Sequence, residues 1–393
     1  MKRIALADNT LRLGLFYPNT PSIHVTSRVV ADMNPDSMSL ATHRRIAAVS
    51  EEIGLDYVFI ADRWAPYGPE STAAHHQDPM LAAFILGATL IGMTERIGII
   101  TTLHTTYFHP AHLARIGANL DTLSGGRWGW NIVTGVTTDE MEIFGYKGGV
   151  AHDLRYDMAR EMLALIKKIW DGMRRENAYV DWQGTHYTMR GAVVGPGPLQ
   201  QPYPLLVNAG ASDAGRRFAA EHCDYIFLTD SSQEGVLRRM QSAREQAVAF
   251  GRPADAVRLM MAARVIVRDT QEEADQARHW IANNVDLPAA RNFVAALMGG
   301  IESIREAFGD RDEAELLRVW GGAVGEHEAY CCGPPEKIAR SIIDLHREVG
   351  CQGLLLTFPL WHEDEIRRFG TQVMPLLAEA GVWTHPSQRG WNW

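Results

Sequence analysis

The sequence lacks the cysteine patterns and the long apolar runs that mark several common protein classes. Its four cysteines are Cys223, Cys331, Cys332 and Cys351. None belongs to a C-x-x-C pair, so their spacing indicates neither a zinc motif nor a dithiol redox motif. No uncharged apolar run reaches the ~18 residues that a membrane helix needs, and residues 1–11 contain no apolar signal core. We therefore expect free thiols in a reducing cytoplasm and no membrane association.

Blocks of basic residues are missing as well. The formal net charge is -9, with 38 Lys and Arg against 47 Asp and Glu, which argues against a surface built for nucleic acid or anionic lipid. The histidines form no H-x-H or H-E-x-x-H pattern, and no G-x-S-x-G pattern occurs. A metal hydrolase and a serine hydrolase with a nucleophile elbow are thus disfavoured. We predict no metal site and a small-molecule partner.

What the sequence does contain is an alternation of short β-branched runs with amphipathic helical stretches. This alternation is typical of βα units and a parallel sheet. The eight candidate strands are residues 11–17, 56–61, 97–102, 128–133, 205–208, 225–228, 260–267 and 353–358. Apolar residues at helical spacing predict helices that include 41–53, 110–123, 156–170, 233–250 and 335–349.

Eight strands with intervening helices predict an α/β fold of the TIM (β/α)8 barrel type. A doubly wound open sheet is the alternative, but no G-x-G-x-x-G follows the first strand. Residues 177–204 resemble a small hairpin with a proline-rich return, and 270–328 are typical of a charged helical insertion after the seventh strand. We interpret 1–393 as a single domain, with 383–393 as a loose or interface-packed tail.

Polar side chains at the carboxyl ends of the predicted strands are the first site candidates, because barrel enzymes carry their reactive groups there. Thr102 ends the third strand, where its hydroxyl can bind a ligand, although threonine is also an ordinary strand residue. Asn131 lies in the fourth strand between Trp130 and a β-branched run. An unpaired buried amide costs roughly 1–3 kcal/mol, so Asn131 needs either a partner in the next strand or a ligand.

Two further patterns suit an anion such as a phosphate. Arg155 and Tyr156 open a predicted helix, and an arginine beside a phenol suits a terminal phosphate, although a surface arginine that binds nothing is the more common case there. Ser212 follows the glycine that ends the fifth strand and begins a helix, whose free N–H groups attract anions. The same serine also fits a helix cap that binds nothing. Phosphate sites in barrels usually follow strands seven and eight, so a site here would depart from that rule.

Several strings, taken in order, resemble the bacterial luciferase-like flavin-dependent monooxygenases, in the branch of the pyrimidine, dimethylsulfone and alkanesulfonate monooxygenases. The matching segments are 120–127, 131–135, 140–145, 155–156, 201–204, 209–215 and 353–358. The resemblance implies a TIM barrel that binds reduced FMN and adds one oxygen atom from O2 to a substrate. It also implies an NAD(P)H-dependent flavin reductase that supplies the FMN, and a homodimer or homotetramer.

The resemblance also assigns site residues, position by position. Those matched to flavin contacts are Asp62, Arg63, Thr102, Asn131, Glu140, Arg155, Tyr156, Ala211 and Ser212. Thr102 and Asn131 correspond to the pair that places oxygen beside the central flavin ring, whereas Asp62 and Arg63 stand where the pyrimidine enzyme has other residues. The reactive-loop cysteine of the sulfonate enzyme has no counterpart in 61–67, which argues against an alkanesulfonate substrate.

The side chains that we expect to face the substrate are Trp64, Tyr67, His104, Tyr107, Phe358 and Trp361. Their aromatic character favours an apolar or planar substrate, such as a nitrogen heterocycle, an organosulfur compound or an aromatic ring. His104 is also a catalytic candidate that would donate a hydrogen bond or a proton, and a histidine packed under a loop fits equally well. The alternatives are a deazaflavin-dependent hydride-transfer oxidoreductase and a flavin-binding protein without turnover.

Overall fold

Eight parallel strands form a closed barrel in the computed structural model of the chain. The structure describes residues 10–175, 178–210, 212–228, 233–298, 311–322 and 331–391. Within these ranges the strands are β1 (Arg12–Phe16), β2 (Tyr57–Ile60), β3 (Gly98–His104), β4 (Trp128–Val133), β5 (Val180–Gln183), β6 (Thr188–Ala192), β7 (Leu205–Asn208), β8 (Tyr225–Phe227), β9 (Arg258–Arg264), β10 (Ile266–Val267), β11 (Cys332–Gly333) and β12 (Cys351–Thr357). The order around the barrel is β1-β2-β3-β4-β7-β8-β9-β12, and β12 pairs with β1. The predicted TIM barrel is confirmed, and the eight predicted strands coincide with the eight barrel strands.

Helices surround the barrel. In the described ranges they are α1 (Arg28–Met33), α2 (Leu40–Glu52), α3 (Pro69–Ala73), α4 (Ala83–Ile91), α5 (Pro110–Leu123), α6 (Thr138–Ile143), α7 (His152–Arg174), α8 (Asp213–His222), α9 (Gln233–Ala249), α10 (Gln271–Asn283), α11 (Leu287–Met298), α12 (Glu313–Gly321), α13 (Pro335–Asp344), α14 (Glu363–Gln372), α15 (Met374–Glu379) and α16 (Pro386–Arg389). In α7, Met162, Ile166 and Ile169 recur at helical spacing and are fully buried, which explains why this stretch forms an amphipathic helix. None of the described helices is both long and apolar enough to cross a membrane.

Side chains along the strands alternate between the barrel interior and the layer of helices. Interior residues of one buried apolar cluster include Tyr57, Phe59, Ile100, Val207, Met260 and Leu355. By the same alternation, Thr102, His104 and Asn131 point inward nearer the carboxyl ends of the strands. Ala262 faces inward as well, opposite Leu355, and is exposed to solvent. The interior is therefore open at the carboxyl ends, which we call the barrel mouth.

The segment between β10 and β11 contains three described helices, α10, α11 and α12. The predicted seventh strand is divided here, because β9 ends at Arg264 and β10 leaves the barrel to pair with β11. This two-stranded sheet joins the start and the end of the segment. Phe293 of α11 packs edge-on against His76, with ring centroids 4.6 Å apart, so the segment lies over the loop that follows β2.

Two smaller features lie outside the barrel. The hairpin predicted within 177–204 is present as the antiparallel pair of β5 and β6. At the amino-terminal end of the barrel, Arg389 of α16 forms an ion pair with the buried carboxylate of Asp56. Arg389 thus ties this part of the predicted tail to the chain's own barrel, while its packing at an interface stays a prediction, and 392–393 lie outside the described residues.

Candidate active site

Two glycines near the carboxyl end of β7 approach each other too closely for side chains. A Cβ on Gly215 would lie 2.7 Å from the Gly210 Cα and 2.7 Å from the hydroxyl oxygen of Tyr156. Between them, Ser212 begins α8, and its Oγ accepts a hydrogen bond of 3.1 Å from the Gly215 N–H. We call Gly210, Ser212 and Gly215 the glycine cradle. It exposes the free N–H groups of a helix start, which suit an anion.

Tyr156 lies beside this cradle. Its hydroxyl is within hydrogen-bonding reach of the side chains of Thr134, Asn208 and Ser212, and burial raises its pKa. The phenol therefore stays protonated at neutral pH and can donate a hydrogen bond to a ligand.

Arg155 supplies a buried cation next to the same cradle. The residue is 8% exposed, and its Nη1 donates hydrogen bonds to the carbonyl oxygens of Thr134, at 3.3 Å, and of Gly135. Its Nε has no hydrogen-bond partner among the described residues. A buried donor left in this state costs about 1–3 kcal/mol, which an acceptor on a bound anion would offset. The structure thus brings the predicted residues Arg155, Tyr156 and Ser212 together, whereas Ala211 lies outside the described residues.

Thr102 and Asn131 form a second polar pair, on the inner faces of β3 and β4. The Asn131 Nδ2 donates a hydrogen bond of 2.9 Å to the Thr102 Oγ1, and both residues are buried. The Asn131 Oδ1 is also buried but has no hydrogen-bond partner in the described part of the chain. The amide nitrogen of Asn131 therefore has a partner in the neighbouring strand, while its oxygen remains available for a ligand donor.

Glu140 is fully buried, and protein donors occupy both of its carboxylate oxygens. Oε1 accepts the Trp64 N–H at 2.9 Å, while Oε2 accepts the Tyr107 hydroxyl at 2.9 Å and the Val136 N–H at 3.1 Å. Burial alone would raise its pKa, but the neighbouring His104, the two amides and Arg63 together lower it. The carboxylate thus joins the loops after β2, β3 and β4, and its direct contact with a flavin stays a prediction.

His104 and Tyr107 pack against each other next to this carboxylate, with ring centroids 5.0 Å apart. The His104 Nε2 lies 3.7 Å from the Glu140 Oε1, and its Nδ1 is buried without a hydrogen-bond partner among the described residues. Burial lowers the pKa of His104 to about 4, so its imidazole is neutral at pH 7. Burial and Glu140 raise the pKa of Tyr107. Its hydroxyl therefore keeps its proton at pH 7 and remains a hydrogen-bond donor.

The loop after β2 brings four more predicted residues to the mouth. The Arg63 guanidinium lies 3.4 Å above the ring centroid of Tyr67, and Trp64 is 37% exposed. Burial raises the pKa of Asp62 to about 7. Phe293 of α11 covers Tyr67, with ring centroids 5.2 Å apart. Trp64 is thus the more accessible aromatic side chain of the two.

Phe358 and Trp361 are not brought to the mouth as predicted. Leu355 faces inward, so alternation turns Phe358 outward, where its ring packs 6.3 Å from Phe369 of α14. The Trp361 indole is buried and donates its N–H to the Pro21 carbonyl oxygen at 3.1 Å. These contacts within the chain account for both side chains and argue against their predicted contact with a substrate.

Two polar residues of the site were missed at the sequence level. Asn208 is buried at the end of β7, where its Nδ2 donates to the Ile132 carbonyl oxygen at 2.8 Å and its Oδ1 accepts the Gly210 N–H at 2.9 Å. Arg264 ends β9 on the inward side, and burial lowers its pKa to about 9. The sequence does contain a signal for both, because Asn208 places an amide and Arg264 a guanidinium at the end of an apolar strand.

A closed barrel of eight parallel strands surrounded by helices, with buried polar groups at the carboxyl ends of its strands, is the architecture of TIM-barrel enzymes. A family model described as luciferase-like monooxygenase matches residues 11–352, and the chain belongs to this family. The family predicted from the sequence is therefore confirmed, and the chain is a monooxygenase of that family.

Individual relatives extend over nearly the whole chain. N-acetyl-S-(2-succino)cysteine monooxygenase of Bacillus subtilis (strain 168) is 29% identical, over 95% of this chain and 93% of its own. FMNH(2)-dependent dimethylsulfone monooxygenase of Pseudomonas putida is 26% identical, with 94% and 96% covered. The crystal structure of a riboflavin lyase with modified FMN and riboflavin superposes with a TM-score of 0.80 and 28% identity, covering 96% of this chain and 93% of that one.

Proposed function

We propose that the chain is the oxygenase component of a two-component system, which binds reduced FMN at the barrel mouth and uses O2 to oxygenate a small organic substrate. The observation that carries this proposal is the glycine cradle beside Arg155. The close approach of Gly210 and Gly215 leaves no room for a side chain at either glycine and brings the Tyr156 hydroxyl against the start of α8. The buried Arg155 Nε and the Tyr156 hydroxyl supply donors for the same anion.

The donor set fits a phosphate monoester better than a carboxylate. A terminal phosphate has three acceptor oxygens, and Arg155, Tyr156 and the start of α8 can offer it a guanidinium, a phenol and helix N–H groups. Arg155, Tyr156 and Ser212 would hold the phosphate of FMN. The flavin ring would then extend toward Thr102 and Asn131, whose Oδ1 offers an acceptor for a ring N–H.

Bound FMN in its reduced form would supply the electrons that activate O2, and the protein would supply binding, orientation and exclusion of water. Thr102 and Asn131 would orient the ring from the barrel interior. The loops joined by Glu140 and the α11 segment over Tyr67 would limit the access of water. Trp64, exposed at the mouth, is the side chain best placed to contact a planar or apolar substrate.

The other parts of the proposal follow from the relatives. An enzyme that consumes reduced FMN needs a separate source of it, so we infer a flavin reductase partner. The named relatives oxidise organosulfur compounds, and we propose a small organic substrate of that kind or a heterocycle. A homodimer or homotetramer is the assembly that we expect.

A comparison of two flavins tests the proposal, because riboflavin has the FMN ring without the phosphate. Anaerobic calorimetry with dithionite-reduced flavins should show that FMN binds at least about tenfold more tightly than riboflavin. The Arg155→Ala variant should lose about 1.5–3 kcal/mol of FMN binding, the usual contribution of a hydrogen bond to a charged group, with riboflavin binding unchanged.

The matched control is Arg160→Ala, which removes an arginine from the same helix, where it pairs with Glu221 at 2.8 Å. This variant should bind both flavins like the unaltered protein. Equal affinity of the unaltered chain for FMN and riboflavin, or no affinity for either, would refute the proposal.

A further inference from the structure

Glu140 is the most completely bonded acidic side chain at the barrel mouth. It is fully buried and accepts three hydrogen bonds, from residues that follow β2, β3 and β4. A buried carboxylate with three donors is held in its ionised form. The protein thus fills three of the roughly four acceptor positions of the carboxylate, and its charge also acts on neighbouring groups.

His104 is the neighbour that this charge affects most. Its side chain is 1% exposed, and its Nε2 lies 3.7 Å from the Glu140 Oε1. At that distance the contact is too long for a hydrogen bond, but a negative oxygen still favours a proton on the nearby Nε2 over a lone pair there. In structures without ligands, such contacts are often long and shorten in the complex.

The other groups that face His104 do not oppose this preference. Tyr107 stacks on the imidazole ring and donates its own hydroxyl proton to the Glu140 Oε2. Arg63 contributes a positive charge that keeps the imidazole neutral. A neutral imidazole has one N–H and one acceptor nitrogen, so a proton on Nε2 leaves Nδ1 as an acceptor. No described residue donates a hydrogen bond to that Nδ1.

We propose that Glu140 is a positioning residue that fixes His104 as the Nε2–H tautomer, so that its Nδ1 accepts a hydrogen bond from the flavin bound at the mouth. The role of Nδ1 rests on the proposed flavin function, whereas the tautomer does not. His104 occupies the same inner face of β3 as Thr102, two residues further toward the mouth. In this role Glu140 acts on the cofactor through His104.

Nitrogen NMR of protein labelled with 15N-histidine tests the tautomer directly, because protonated and unprotonated ring nitrogens have distinct shifts. The His104→Gln variant identifies the signals that belong to His104. In the unaltered chain at pH 7 we expect the proton on Nε2. The Glu140→Gln variant should give a mixture of the two tautomers, since the negative charge is gone.

Tyr107→Phe is the matched control. It removes the hydrogen bond to Oε2 but keeps the carboxylate and its Oε1 next to His104, so the Nε2–H tautomer should persist. A proton on Nδ1 in the unaltered chain would overturn the proposal even if Glu140→Gln does not fold. An unchanged tautomer in a folded Glu140→Gln variant would overturn it as well.

Addition of dithionite-reduced FMN tests the role of Nδ1. We expect the Nδ1 signal of His104 to shift at saturation and the shift to be lost in Glu140→Gln. Saturation without any change of that signal would contradict the acceptor role alone. Failure of FMN to bind would instead refute the proposed function, while the tautomer measurement without flavin would still decide the effect of Glu140.

Discussion

The Asp56 cluster at the amino end of the barrel and three buried polar groups at the mouth differ in whether the chain supplies their partners. At the amino end, the Asp56 carboxylate meets Arg389, the Arg12 Nε at 3.8 Å and the Leu13 N–H at 2.9 Å. At the mouth, by contrast, the Arg155 Nε, the Asn131 Oδ1 and the His104 Nδ1 are buried without hydrogen-bond partners among the described residues.

This difference indicates which buried groups contribute to stability and which contribute to ligand binding. Buried groups that satisfy each other hold the chain together and have no capacity left for a ligand. Buried groups without partners lower stability, and a ligand that pairs with them recovers that free energy on binding. We therefore expect substitutions at the amino end to change the free energy of unfolding without changing flavin affinity, and substitutions of the proposed phosphate-binding residues at the mouth to change flavin affinity as well.

The largest effect should come from the amino end. Asp56→Asn keeps the size of the side chain but leaves two buried guanidinium groups without their carboxylate. Its free energy of unfolding should fall by about 3–5 kcal/mol, as for other broken buried ion pairs, and the folded variant should bind FMN normally. Urea denaturation measures the first and calorimetry the second. Asp32→Asn, which breaks an exposed pair with Arg28, should change stability very little. A marked loss of FMN affinity in folded Asp56→Asn would contradict the separation of the two ends.

The second effect is a loss of stability at low pH, because protonation of His104 places a positive charge in the buried mouth. Burial lowers the pKa of His104 from 6.5 to about 4, so the unfolded chain takes up this proton before the folded one. Its contribution to stability is complete above pH 6.5 and is lost between pH 6.5 and 4. The loss is on the order of 3 kcal/mol.

His104→Gln should flatten that part of the pH dependence. Urea midpoints at pH 7 and pH 4.5 should lie closer together in this variant than in the unaltered chain. His76, with a pKa lowered by burial to about 3, accounts for part of the dependence that remains. His152→Gln, at an exposed position, serves as the control, and an equally steep loss in His104→Gln would show that His104 is not held neutral.

Gly215→Ala should disturb the proposed phosphate site directly. The new methyl group would meet the Gly210 Cα and the Tyr156 hydroxyl at 2.7 Å, so the turn before α8 must shift and the Tyr156 hydroxyl must move away from it. We expect FMN affinity to fall about tenfold or more, equivalent to about 1.4 kcal/mol, as measured by calorimetry. Gly92→Ala is the control, because its nearest neighbour, the Thr89 carbonyl oxygen, is 3.5 Å away. Full FMN affinity in Gly215→Ala would exclude the cradle as the phosphate site.

The smallest effect should come from a helix cap. Ser212→Ala removes the hydrogen bond to the Gly215 N–H and should cost about 1 kcal/mol of stability, as at other N-caps, with a few-fold loss of FMN affinity. Thr270→Ala removes a comparable cap from α10. It should cost a similar amount of stability and leave FMN affinity unchanged, and equal FMN affinities of the two variants would show that Ser212 only caps its helix.

Much of the fold could be predicted because its signals are local. Each barrel strand is a short apolar run, and each long helix repeats its apolar residues at helical spacing. The departure of β10 from the barrel could not be predicted, because it depends on pairing with β11, 65 or more residues further along the chain. The docking of Arg389 on Asp56 joins residues that are still further apart, 333 positions along the chain.

Candidate site residues could be predicted where they lie at the ends of strands. Those whose role depends on which way the side chain points were harder to predict. Asn131, Arg155 and Ser212 were found because polar groups at strand or helix ends are visible in the sequence. Phe358 was placed wrongly because its direction depends on the register of β12. Glu140 is expected to contact the flavin, but the sequence does not reveal that three protein donors bind its carboxylate.

The most direct test of the account is a crystal structure of the chain with FMN bound. We predict the phosphate oxygens within hydrogen-bonding distance of the Arg155 guanidinium, the Tyr156 hydroxyl and the N–H groups at the start of α8. We also predict the flavin ring next to Thr102 and Asn131. A phosphate bound elsewhere, with Arg155 and the glycine cradle facing only solvent, would contradict the account.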